Sequence, residues 1–79
     1  MTFQELLIFN GITQTQLAKA MGCGKNSVNA WCTGKTFPNP PSVDKIVEGF
    51  AVLGINIDRD KVFQSLLWTK RERREKEQG

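Results

Sequence analysis

The sequence predicts an all-α fold of five short helices ending in a charged helical tail, and three observations carry that prediction. Apolar residues recur at three- and four-residue spacing in five separate stretches, and nowhere do they alternate with period two over a useful length. Two capping-box signatures, Thr2-x-x-Glu5 and Thr13-x-x-Gln16, stand immediately before two of those stretches. Glycine closes four of them, at Gly11, Gly22, Gly34 and Gly54, the residue that adopts a left-handed helix stop without a Cβ penalty.

Behind Thr2, the first helix places Phe3, Leu6 and Leu7 on one side and stops at Asn10-Gly11. The second opens at Thr13, carries Leu17, Ala18 and Met21, and ends at Gly22. A third follows Cys23-Gly24, with Val28, Trp31 and Cys32 at i, i+3 and i+4, and ends at Gly34. Residues 35–41 (KTFPNPP) read as a loop, because three prolines in four positions do not fit inside a helix. From about Ser42 to Leu53 a fourth helix shows the stripe Val43, Ile46, Val47, Phe50 and Leu53. After the connection 55–57, Asp58 or Asp60 is placed to cap a fifth helix with Val62, Phe63, Leu66 and Leu67 as its apolar positions. Beyond Trp68 the chain turns to mixed charge. This divides it into a helical domain, residues 1–69, and a charged extension, residues 70–79.

Seventy-nine residues make one small domain, too small for an enzyme with its own substrate cleft. No histidine is present, and two cysteines, Cys23 and Cys32, cannot complete a tetrahedral zinc site. No metal, cofactor or catalytic residue is therefore expected. No stretch approaches the roughly 20 apolar residues of a membrane span, and the N-terminus lacks the features of a signal peptide, so a cytoplasmic location is expected. The net charge is only +3, but its distribution matters more. No acidic residue falls between Glu5 and Asp44, whereas Lys19, Lys25 and Lys35 do. A surface built from that segment is purely basic, as contact with phosphates requires.

Within residues 13–34 the spacing is specific. Counting Gln14 as the first position, Ala18 is fifth, Gly22 ninth, Val28 fifteenth and Trp31 eighteenth. A small residue at Ala18 permits close helix approach, Gly22 makes the turn, and Val28 and Trp31 plug the hairpin into the core. With Val28, Trp31 and Cys32 facing inward, the third helix presents Lys25, Asn26, Ser27, Asn29 and Ala30 outward. Lysine can donate to guanine O6 and N7, asparagine can pair with adenine, and alanine can meet a thymine methyl.

This pattern resembles the helix-turn-helix of the phage repressor, Cro and Xre family over about Leu6 to Ile55. Met21-Gly22-Cys23-Gly24, Val28, Ala30 and Gly34 are most similar to its lambda repressor-like members. The resemblance implies a lambda repressor-like five-helix domain whose second and third helices bind double-stranded DNA. By position it implies base contacts from Lys25 and Asn26 first, then Ser27, Asn29 and Ala30. It implies phosphate contacts from Gln14, which also braces the recognition helix, and from Thr33, Lys35 and Thr36. Where many members carry a buried arginine–glutamate pair, this chain has Leu7 and Cys32, an apolar contact that leaves no orphaned charge.

In lambda repressor-like proteins the fifth helix pairs two subunits, which makes Phe63, Leu66, Leu67 and Trp68 candidate homodimer contacts; closure of the core is the other use for them. A long coiled coil is not expected, since the seam from Phe63 meets Lys70 one heptad later. The extension 70–79 reads as a solvated helix end held by pairs such as Glu72 with Lys76. Its near balance of charge argues against a DNA arm, and its removal is expected to leave the salt dependence of binding almost unchanged. The functional expectation is a sequence-specific transcriptional regulator, with a protein-interaction module such as an antitoxin as the alternative.

Overall fold

The computed structural model describes residues 1–78, with side chains described as far as Glu75. Among the described residues the chain forms five α-helices and no strand: α1 (Phe3–Phe9), α2 (Gln14–Met21), α3 (Lys25–Thr33), α4 (Pro40–Val52) and α5 (Arg59–Gln78). Both capping boxes form. The Thr2 and Thr13 hydroxyls accept the backbone N–H groups of Glu5 and Gln16, whose side chains accept the N–H groups of Thr2 and Thr13 in return. These bonds satisfy helix-start donors that have no partner inside the helix. Gly22 and Gly34 end α2 and α3 at φ of 70° and 76°.

The start of α4 differs from the expectation. The helix begins at Pro40, two residues before Ser42, and Pro40 and Pro41 form its first turn. Proline is excluded from a helix interior because it lacks an N–H and clashes with the preceding turn; at the first positions neither penalty applies. Asn39 is the N-cap, its side-chain oxygen accepting from the Ser42 N–H at 3.0 Å. Only 35–39 remain as the connecting loop, anchored by buried Pro38 and half-buried Phe37.

The core is built from every helix: Phe3, Leu6 and Leu7 of α1, Leu17 and Ala18 of α2, Val28 of α3, Val43, Ile46 and Phe50 of α4, and Val62 and Leu66 of α5. α2 packs closely on α4 at Gly49, where an added Cβ would lie 2.7 Å from Met21 Cγ and 3.1 Å from Leu17 Cδ1. Leu66, one of the candidate dimer contacts, is 2% exposed. It closes the core of its own subunit and is not available to a partner.

α5 continues through the expected boundary at residue 69 without a break. It fastens both ends of the fold through Thr69, which is 5% exposed. Its hydroxyl accepts the Phe3 N–H of α1 at 2.8 Å and donates to the Ser65 carbonyl at 2.9 Å. Beside it, Gly34 lies so close to α5 that an added Cβ would be 3.1 Å from the Thr69 carbonyl oxygen and 3.1 Å from Arg73 Cβ. The Arg73 guanidinium donates to the Thr33 carbonyl at 3.2 Å. The expected Glu72–Lys76 pair involves a side chain outside those described; Glu72 Oε1 accepts from the indole N–H of Trp68 at 2.9 Å.

Candidate nucleic-acid interface

α2 and α3 form a tight helical hairpin. At its turn the Cys23 N–H reaches back to the Ala18 carbonyl at 3.0 Å and the Gly22 N–H to Lys19 at 3.2 Å, the bonding that a left-handed glycine permits at a helix end. Gly24 then starts α3 without a side-chain cap, and no acidic residue occupies the first turn. The positive end of the α3 dipole therefore faces solvent uncompensated, which favours an approaching anion.

Orientation of α3 follows from its apolar side. Val28 is fully buried, while Trp31 and Cys32 are half-buried against the core. On the opposite side Lys25, Asn26, Ser27 and Asn29 are exposed. Ala30 is half-buried, because its carbonyl lies under the following loop and accepts from the Lys35 N–H at 2.9 Å and the Thr33 hydroxyl at 3.2 Å. Three donor-bearing polar side chains and one lysine thus project from a single helix face that carries no carboxylate.

Gln14 is half-buried at the start of α2, and its amide donates to Gln4 Oε1 of α1 at 2.9 Å. This bond ties the start of α2 to α1. Thr33, Lys35 and Thr36 are exposed at the far end of α3. Burial pushes the Cys32 thiol up to about 11. At neutral pH it is a protonated packing group and a poor nucleophile. Cys23 is half-buried in the turn and packs against the core.

The fifth-helix candidates separate. Phe63 is half-buried and meets Phe37 edge-to-face, ring centroids 5.7 Å apart. Leu67 and Trp68 are exposed, 38% and 48%. Phe9 is more exposed still, at 77%, and with Met1, Ile55, Ile57 and Trp68 it lines a groove of about 660 Å³ between α1 and α5. Sequence reasoning did not single out Phe9. The signal was the unbroken run Leu6-Leu7-Ile8-Phe9, in which one helix face cannot bury all four residues. Gln4, Thr69 and Arg73 were missed as well, and for them no sequence signal exists, since each acts through a partner distant in the chain.

A helical hairpin with a left-handed glycine turn, a plugged second helix and a polar, carboxylate-free outer face defines a helix-turn-helix DNA-binding domain. Residues 5–56 match the helix-turn-helix family, well over half of the chain, and the protein belongs to that family, of Cro/C1 type. It is a DNA-binding transcription regulator. The matched region runs from within α1 through α4 and stops before α5. No curated protein and no solved structure matches the chain. Among the described residues no helix is long and apolar enough to cross a membrane.

Proposed function

We propose that this protein is a sequence-specific transcriptional repressor of phage or mobile-element type that binds a near-palindromic operator as a homodimer. The observation that carries the reading is the outer face of α3. Lys25, Asn26, Ser27 and Asn29 are exposed together, in a segment with no acidic residue between Glu5 and Asp44. Inserted in the major groove, Lys25 and Asn26 at the start of α3 read base edges, with Ser27 and Asn29 next and the Ala30 methyl in a supporting role. Phosphate contacts from Thr33, Lys35, Thr36 and the start of α2 at Gln14 set the register. Lys19, exposed on α2, adds to the same basic surface.

Homodimer formation draws on the exposed apolar residues Leu67 and Trp68, with Phe63 contributing at its open edge. Two recognition helices then enter successive major grooves about 34 Å apart on one face of the duplex. Occupying a promoter requires no further surface, which favours repression over activation. A second reading, an antitoxin-like module that also holds a protein partner, draws on Phe9 and the α1–α5 groove, which Trp68 also lines.

Selection of bound sites from a random duplex pool tests the proposal, because the recovered half-sites and their spacing report readout and dimer geometry together. Lys25→Ala and Asn26→Ala should each weaken binding to the selected site by about 1–3 kcal/mol while the fold stays intact. Wild-type affinity in both variants would refute the assignment of the recognition face.

A further inference from the structure

The charges of residues 70–75, four basic against two acidic, are segregated on α5. Lys70, Arg73 and Arg74 stand at i, i+3 and i+4 and share one side of α5. That side is packed along the loop following the recognition helix. At one end of the loop the Arg73 guanidinium holds the Thr33 carbonyl, one of the last carbonyls of α3. At the other, the Lys70 ammonium sits 5.6 Å from the centroid of the Phe37 ring, whose edge-to-face partner is Phe63. Lys35 and Thr36 lie between these two anchors and are exposed, as are Lys70 and Arg74. Among the described side chains, neither carboxylate shares this side. Glu72 is occupied by the Trp68 indole, and Glu75 is about 140° around the helix from Lys70 at 3.6 residues per turn.

We propose that the C-terminal half of α5 is a second phosphate-binding element, in which Lys70 and Arg74, together with Lys35 of the loop, grip the DNA backbone beside the recognition helix. Arg73 is a positioning residue that fixes the end of α3 against this element. The inference rests on the DNA-facing reading of α3 and extends the contact surface beyond the matched residues 5–56. It reverses the expectation that the tail is a neutral bystander. The physical reason is that a helix carries its charges on defined sides, so net charge does not report the field on the side that faces DNA.

The test is fluorescence anisotropy of the full chain on a labelled mixed-sequence duplex, repeated across a salt series. Each phosphate contact contributes about 0.9 to the slope of log K against log salt. Lys70→Gln with Arg74→Gln should therefore flatten the slope by about 1.8, and Arg74→Gln alone, which leaves the Lys70–Phe37 contact in place, by about 0.9. Lys61→Gln, the same charge change at the opposite end of α5, should leave the slope at the wild-type value, and the exchange Lys70→Arg with Arg74→Lys should restore it. A wild-type slope in both Arg74→Gln and the double variant, alongside normal duplex binding, overturns the phosphate element and leaves the α3 reading standing. A wild-type protein that shows no salt-dependent duplex binding overturns both.

Discussion

The contact that joins the chain's two ends is the most exacting test of the packing. Thr69→Val keeps the shape of the side chain and removes its hydroxyl. Two hydrogen bonds disappear, but their costs differ. The Ser65 carbonyl that receives the Thr69 hydroxyl also lies within α5, where helix pairing supplies it with the Thr69 backbone N–H. The Phe3 N–H has no such alternative. It belongs to the first turn of α1, where no intrahelical acceptor exists, and the side chains around it, Phe3 at 0% and Thr69 at 5% exposure, exclude water. A buried donor left without a partner costs about 1–3 kcal/mol. Part of this is offset by the added methyl, which is worth about 0.8 kcal/mol when buried, so a net loss of up to about 2 kcal/mol is expected. For a domain of this size each kcal/mol lowers Tm by about 4–8 °C. Thermal melting measures the loss, and amide hydrogen exchange locates it: Phe3 should lose protection in Thr69→Val and keep it in Thr69→Ser. Unchanged Tm with full Phe3 protection in the valine variant would refute the reasoning.

Further outcomes follow from the same geometry. Gly34→Ala should cost more than Gly54→Ala in chemical denaturation. Both glycines have positive φ, 76° and 81°, and share a strain of about 1–2 kcal/mol, but only at Gly34 does the new Cβ meet α5 at 3.1 Å while Gly54 faces open space. The Cys32 thiol holds its proton in the folded state up to about 11, against an ordinary value of 9.0. The unfolded chain therefore releases that proton first, and stability should fall as pH rises from 9 to 11. The advantage of wild type over Cys32→Ala should shrink across that window and stay constant below it, as paired denaturation curves would show. Binding by the recognition-face variants Lys25→Ala and Asn26→Ala, and the salt slopes of the Lys70 and Arg74 variants, check the two functional proposals.

Much of this protein was legible in the sequence because much of it is decided locally. Capping boxes at Thr2 and Thr13 act over three residues, and the glycine stops at Gly22 and Gly34 act through their own backbone torsions, so helices α1 to α3 and the turn between α2 and α3 follow from short-range chemistry. Spacing of Val28, Trp31 and Cys32 also determined which side of α3 is left open to solvent, since a helix with one apolar side has only one way to face a core. Tertiary structure decided what periodicity leaves ambiguous. Phe63, Leu66, Leu67 and Trp68 satisfy one apolar pattern, yet only Leu66 is buried and only Leu67 and Trp68 stay open, because the rotation of α5 is set by Phe37, Gly34 and Thr69, residues whose partners lie tens of positions away. The placement of residues 70–75 is of the same kind. Their charges are plain in the sequence, but the side that faces the recognition helix is chosen by packing across 40 residues of chain, from Arg73 to Thr33, and no local rule reaches that far.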